Sequence, residues 1–440
     1  MTVIHRAVAG ALLCLSAHAH ATLSPTETAI ADHVATTTPY YLSLLARLVD
    51  TPSGTLNHDG VRAVGDIMAK ELTRLGFVTQ WVTLPPALDR AGHLMAHRPG
   101  GRGPALLLIG HLDTVFDGDL PLKRFAIEGN RATGHGVQDM KGGLVMMLQA
   151  LEALHTQGAL GDAAITVALM GDEEKTGRPS AVSRAPLVEA AKGAYAALGF
   201  EFGAARLDES AVVARRGLTK WQLDVTSSAG HSSLQFTPEY GAGAVLSAAR
   251  LLDGLAQQVR HYPDVTFNPG LMVAGTRLEH QPASARAMAY GKSNVIAAEA
   301  TVEGDMRFAH PDQVAALQRR FRTLTDGVPK PARATLQFGE IDPAMPDAPR
   351  HRALLTLLSQ VSDDLGLGTV TAQDPLRRGT ADIAYVADRL PALDGLGAVG
   401  EGAHSDNESI DLSAYPAAVQ RAALLIHRLV SARRAPVPQD

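Results

Sequence analysis

Seven polar residues of this chain are placed where side chains could do chemistry: His111, Asp113, Asp139, Glu173, Glu174, Glu201 and His404. Imidazoles and carboxylates hold hard-to-borderline divalent cations, and a spare carboxylate beside them can move protons during hydrolysis. His111 and Asp113 follow an apolar run, and period-2 alternation puts them on one side of the chain. Asp139 lies in a polar, Gly-rich stretch (134–143) that opens an apolar helix, and Glu173-Glu174 follow another apolar run. Singly, each has a plain reading. His-x-Asp can be a hydrogen-bonded pair, Asp139 a helix cap, Glu173-Glu174 a solvated loop, Glu201 an exposed strand end and His404 a polar turn residue. Together, two imidazoles and three carboxylates stand where expected elements end, a ligand set suited to zinc, cobalt or manganese.

The elements that must position them can be read from hydrophobic pattern. Ala105–Ile109 is a short apolar run between turn residues, which predicts a strand buried on both faces. Strands of the same kind are expected at Ala164–Met170, before Glu173, and at Tyr195–Phe200, before Glu201. Around them the pattern predicts one or two helices over Ser24–Leu48, a helix over Asp59–Leu75 ended by Gly76, and strands at Phe77–Leu84 and His93–His97. Further helices are expected over Leu144–His155 and Pro179–Ala190. Alternating apolar strands and helices imply a covered, mostly parallel sheet, with chemistry at the carboxyl ends of its strands.

The pattern changes near Arg215. Strands at Thr219–Thr226, Val265–Thr276, Asn294–Arg307 and Ala332–Phe338, with helices at Tyr240–Gln258 and Pro311–Leu324, run β-α-β-β-α-β, the split βαβ arrangement. Helices follow at Ala353–Leu365, Asp382–Asp388 and Tyr415–Ser431, and the tail Ala432–Asp440 is expected to be loose. The fold expected is therefore α/β, a doubly wound, mostly parallel sheet over 22–214 and 342–440. A ferredoxin-like α+β lid spans 215–341.

With 440 residues, 46% hydrophobic and 19% charged, the chain is long enough for more than one domain. A net charge of -5 and the lack of any dense Lys/Arg block speak against nucleic-acid binding. Residues 1–21 read as a secretory signal: Arg6, an apolar stretch over Ala7–Ala17, and Ala19-His20-Ala21 as a cleavage site. An uncleaved anchor or a disordered leader is the other reading, although the apolar stretch is too short to span a bilayer. The only cysteine, Cys14, lies in this leader, so a mature chain would have to build a metal site from His, Asp and Glu. No Gly-x-Gly-x-x-Gly or Walker pattern follows the early strands, which disfavours nucleotide binding.

The segments 110–115 (Gly-His-Leu-Asp-Thr-Val), 136–143 (Gly-Val-Gln-Asp-Met-Lys-Gly-Gly), 171–175 (Gly-Asp-Glu-Glu-Lys) and 402–405 (Gly-Ala-His-Ser) resemble the signature set of the M20 metallopeptidases. The resemblance runs along nearly the whole chain after the leader and is nearest in appearance to the glutamate carboxypeptidase branch. It implies two divalent ions, zinc or else cobalt or manganese, bridged by Asp139. One would also take His111 and Glu201, the other Glu174 and His404. It implies that Asp113 orients His111, and that Glu173 is the general base that later returns the proton to the leaving amine.

His231, in Ala-Gly-His-Ser-Ser, is a polar turn residue or, by the resemblance, a donor to the reacting oxyanion that can reach a partner subunit's site. Asn294 and Arg307 are strand-surface residues or a grip on a substrate carboxylate. Gly379 and Thr380 resemble a turn on the substrate side. Two departures weaken glutamate selectivity: Phe338-Gly339-Glu340-Ile341-Asp342 stands where another Arg is expected, and Ala297 stands for a proline.

The function implied is a secreted, periplasmic, zinc-dependent hydrolase that cleaves an amide beside a free carboxylate and releases C-terminal residues. The alternatives are an N-acyl amino acid deacylase or desuccinylase, or a non-catalytic binding protein on the same fold. Small peptides or N-acyl amino acids are the expected substrates, and a homodimer through the lid the expected assembly, without a membrane span.

Overall fold

The computed structural model describes residues 23–100, 105–118, 121–209, 211–281 and 286–431. The secretory reading of residues 1–21, Cys14 and the tail after 431 lie outside them. Helix α1 (Pro25–Val49) opens on a capping box in which Ser24 Oγ accepts the Glu27 N–H and Glu27 accepts the Ser24 N–H. It runs as one helix through Pro39. Then come α2 (His58–Arg74), β1 (Val78–Val82), β2 (His93–Arg98), β3 (Leu106–His111), a small pair β4 (Ala126–Glu128) and β5 (Arg131–Thr133), α3 (Gly143–Thr156) and β6 (Ile165–Met170). Short helices α4 (Ser180–Ser183) and α5 (Ala185–Ala190) lead to β7 (Ala196–Gly199).

A second run follows: β8 (Gly217–Thr226), α6 (Gly243–Val259), β9 (Thr266–Gly275), a hairpin of β10 (Arg277–Gln281) and β11 (Arg286–Tyr290), β12 (Glu299–Phe308), α7 (Pro311–Asp326) and β13 (Arg333–Asp342). The chain closes with α8 (Pro349–Asp364), β14 (Ala392–Leu393), β15 (Gly400–Glu401), β16 (Ser409–Asp411) and α9 (Tyr415–Ser431).

The central sheet has the order β1-β2-β6-β3-β7-β14. From β6 to β14 its neighbours are parallel, whereas β1 and β2 add an antiparallel edge. Alternation along β3 explains why the run is apolar throughout. Leu106 and Leu108 pack with α1, α3 and α9 on one face, and Leu107 and Ile109 pack with Leu187, Ile383 and Ala384 on the other. Helix α3 is buried over most of its surface, being sandwiched between the sheet and the outer helices α1 and α9.

The second sheet, β13-β8-β12-β9, is antiparallel, with α6 and α7 on one face. Trp221, Leu223 and Val225 alternate inward from β8, each worth about 1.5–3 kcal/mol of burial.

Several features differ from the sequence expectation, among them the break of Pro179–Ala190 into α4 and α5 and the short strand β14. The hairpin β10–β11 and a small sheet β15-β16-β5-β4 were not in it. Strand β12 starts at Glu299, leaving Asn294 in the preceding loop. Asp382–Tyr385 is a single tight turn, not a helix to Asp388, because its apolar side chains are pinned one by one against the back of the sheet.

Candidate metal centre and its pocket

The parallel strands end at one edge of the sheet, and the polar residues emerge there. His111 is the last residue of β3, Glu173 and Glu174 follow β6, and Glu201 follows β7. Asp139 comes from a distorted turn over Val137–Gly142. That turn enters through Gly136 at φ +75°, where a side chain would also strike Thr114. Gly143 lets α3 start against β7, since a Cβ there would lie 2.0 Å from the Phe200 carbonyl oxygen.

Asp139 stands between two groups. His111 Nε2 is 3.1 Å from Asp139 Oδ1 and 3.2 Å from Glu201 Oε1. His404 Nε2 is 3.0 Å from Asp139 Oδ2 and 3.3 Å from Glu174 Oε2. The candidate ligand atoms of His111, Asp139 and Glu201 all lie within 4.8 Å of one another, as do those of Asp139, Glu174 and His404. Each imidazole therefore presents one nitrogen to a pair of carboxylates. His111 Nδ1 lies 3.0 Å from the Asp113 carbonyl oxygen, and an N–H donated there leaves Nε2 with its lone pair toward Asp139 and Glu201.

The carboxylate of Asp113 is 3.4 Å from the same ring and is engaged elsewhere. It accepts the Glu173 and Glu174 N–H groups at 3.0 and 3.1 Å and the Thr55 hydroxyl at 2.7 Å, so it holds the Glu173-Glu174 turn. From behind, Asp172 accepts the Gly177 N–H and the Ser183 hydroxyl, and it pairs with buried Arg184, which also pairs with Asp382.

The electrostatics fit cations. Burial works against a charged His111, yet hydrogen bonds to Asp113, Asp139 and Glu201 raise its pKa well above the ordinary value. Hydrogen bonds to Asp139 and Glu174 push His404 up to about 11. Burial also opposes ionisation of Asp139, but the two imidazoles hold it below the usual carboxylate range. Burial raises Glu174 to about 7 and raises Glu173 well above the usual range, with Glu201 and Glu174 adding repulsion at Glu173. Carboxylates this crowded draw protons onto the imidazoles, at the positions where a divalent cation would sit. Glu174 Oε1 is buried with no hydrogen-bond partner, an orphan that such a cation would satisfy. The residues present fit two divalent ions sharing Asp139.

A pocket of about 560 Å³ opens on this cluster; Glu173, Arg307, Gly379 and Thr380 line it. His231 and Asn294 do not. Both lie on exposed loops beside the second sheet, where His231 bridges Val295, the Ser232 N–H donates to the Asn294 carbonyl oxygen and the His231 ring faces Ser233.

Several supports had no signature of their own. Buried Glu408 accepts the Gly136, Gln138 and Asp139 N–H groups at 2.9, 2.8 and 2.8 Å, fixing the Asp139 turn from four residues beyond His404. Arg215 and Arg378 line the pocket while almost wholly buried. The Arg215-Arg216 pair just after Val212-Val213-Ala214 was the one visible hint.

Residues 107–428 match the model of peptidase family M20/M25/M40. Carboxypeptidase G2 of a Pseudomonas species is 30% identical over 434 residues, 96% of this chain and 97% of that protein. Succinyl-diaminopimelate desuccinylase of Leptothrix cholodnii is 27% identical over 390 residues, 85% of this chain and 94% of that one. Among solved structures, the aminopeptidase PepT of Bacillus cereus superposes with a TM-score of 0.70 at 18% identity, covering 88% of this chain and 98% of that one. An M20 family metallo-carboxypeptidase of Sulfolobus solfataricus gives 0.66 at 14% identity, covering 88% and 99%. With a family match across the strands, turns and helices that carry the cluster, the chain belongs to peptidase family M20/M25/M40, a family of hydrolases.

Proposed function

We propose that the protein is a secreted, zinc-dependent hydrolase that cleaves an amide bond next to a free carboxylate, releasing a C-terminal residue as a glutamate carboxypeptidase does. One observation carries this reading: Asp139 lies between two His-and-carboxylate groups, with Glu173 beside them on the pocket wall. Cations held by His111, Asp139 and Glu201 and by Asp139, Glu174 and His404 would supply Lewis acidity, making an attacking water more acidic and offsetting charge on the carbonyl oxygen. Glu173 takes the proton of that water and returns it to the leaving amine. Asp113 keeps Glu173 in place through its backbone N–H. Arg307, Gly379 and Thr380 form the substrate side of the pocket, with the Arg307 guanidinium suited to a carboxylate.

His231 and Asn294 lie away from the pocket of their own subunit and are exposed. Their place supports a homodimer through the second sheet, in which each reaches the partner's reaction site. Secretion rests on the leader over residues 1–21. No described helix is long and apolar enough to cross a membrane.

The test is turnover of peptides ending in glutamate and of N-acyl amino acids, before and after metal stripping, with metal content measured. Activity that survives complete metal removal rejects the reading. A second reading, removal of a succinyl group from an amino acid, is favoured by the likeness to succinyl-diaminopimelate desuccinylase, and the same substrate panel separates the two. A mere binding protein would have no use for Glu173.

A further inference from the structure

His404 is the odd member of the candidate ligand set. Its side chain is 54% exposed, whereas His111, Asp139 and Glu201 are buried. Its backbone also sits at φ +67°, in the left-handed region that a non-glycine residue keeps only when its surroundings hold it there. His404 lies in the turn (402–408) between β15 and β16, whose own bonds link Gly402, Ser405, Asn407 and Glu408.

Three side chains reach this turn from around β4 and β5. His135 Nε2 is 3.1 Å from Asp406 Oδ1, Lys123 Nζ donates to the Asp406 carbonyl oxygen, and Arg131 Nη2 donates to the Asn407 carbonyl oxygen at 3.1 Å. Of the three, only His135 is buried. Its ring is stacked on Phe116 with centroids 3.8 Å apart, and its backbone N–H donates to the Lys123 carbonyl oxygen at 3.0 Å. The Lys123 N–H in turn donates to His135 Nδ1 at 3.3 Å. Nδ1 is thus the acceptor and Nε2 carries the proton, aimed at Asp406.

Both ring nitrogens are spent, so the imidazole nearest to Asp139 in sequence is not a ligand. Nor is it filler, since an apolar ring would pack on Phe116 equally well without a buried polar group to satisfy. Its one free donor points at an exposed carboxylate two residues from His404.

We infer that His135 is a positioning residue. Through Asp406 it holds the 402–408 turn in the conformation that presents His404 Nε2 to Asp139 and Glu174, and so sets the affinity for the ion those three would share. This rests on the two-ion reading above and goes beyond the residues that reading names. The bracing is reciprocal: Glu408 reaches from the His404 turn to shape Asp139, and His135 reaches from the Asp139 stretch to shape the His404 turn.

The experiment titrates metal-free protein with Zn2+ in competition with a chelator. On the same metal-free samples it follows hydrogen exchange of the Ser405, Asn407 and Glu408 amides. His135→Phe keeps a ring on Phe116 and removes the donor. It is expected to weaken one of the two zinc-binding steps by about tenfold and to leave the other within about twofold. Exchange in the turn should speed up by about five- to tenfold. His135→Gln, which can place an N–H where Nε2 stood, should recover most of both effects. Equal weakening of both steps, no change in either, or no recovery with Gln overturns the inference, because a merely structural histidine behaves in those ways. Should His135→Phe fail to fold, Asp406→Ala breaks the same bond from the exposed side and is expected to give the same pattern; wild-type behaviour there overturns it equally. Wild-type protein that takes up fewer than two ions sinks the two-ion reading instead, and unchanged exchange in the variants then removes His135 as the strut.

Discussion

The edge of the central sheet and the exposed loop of the second sheet hold their polar residues in opposite ways. At the sheet edge the supporting carboxylates are each held by several bonds. Asp113 accepts two backbone N–H groups and a hydroxyl, and Glu408 accepts three backbone N–H groups. On the loop, the His231 ring is hydrogen-bonded to Ser233, two residues on, and faces solvent. The groups proposed to hold cations are thus held in place by their neighbours, as electrostatic preorganisation requires. The histidine proposed to meet a reacting oxygen would be delivered later, by a partner subunit.

The largest expected effect separates the two regions outright. Glu173→Ala should lower kcat by about a thousandfold or more while metal content, measured by elemental analysis, stays at the wild-type level. Loss of metal with loss of turnover would make Glu173 a ligand instead.

Next comes the loop. His231→Ala should cost about a hundred- to a thousandfold in kcat if it donates to the oxyanion. Mixing that variant with Glu173→Ala under subunit exchange should restore a fraction of activity, because a mixed dimer holds one site with both residues intact. No recovery, with exchange verified by mass, confines His231 to its own subunit.

Glu408→Ala should weaken metal affinity by about ten- to a hundredfold through the Asp139 turn alone, since supporting groups of this kind act on ligand orientation. Competition with a chelator measures it, and unchanged affinity would show that the turn holds itself.

The smallest effect lies far from both regions. His351 accepts the Ala392 N–H at 2.9 Å, and burial, with nearby Arg350, pushes its pKa down from 6.5 to about 4. The folded chain keeps it neutral while the unfolded chain takes up a proton, so its contribution is complete above pH 6.5 and is lost as pH falls toward 4. Urea unfolding of His351→Asn across that window should show a shallower decline, by about 2 kcal/mol after allowance for solvent screening. Parallel slopes would remove His351 as the titrating group.

What could be read in the sequence was what burial dictates. The run from Ala105 is apolar because α3 covers one face of β3 and Ile383 and Ala384 the other. The hairpin β10–β11 escaped because it buries almost nothing, so Met288 and Tyr290 alternate with no core to mark one face. A helix was expected from Asp382, but its pairing with Arg184 and the packing of Ile383 and Ala384 on the sheet override local propensity. Glu408, Arg215 and Arg378 gain meaning from partners 164 to 272 residues away and from a shared pocket wall, and one-dimensional pattern carries neither.

The bond from Glu408 to the turn at Asp139 has a consequence for the life of the chain. A polypeptide interrupted before residue 404 lacks both His404 and the acceptor for three backbone donors. Any chain stopped short of that point therefore lacks both a candidate ligand and the brace that shapes the Asp139 turn.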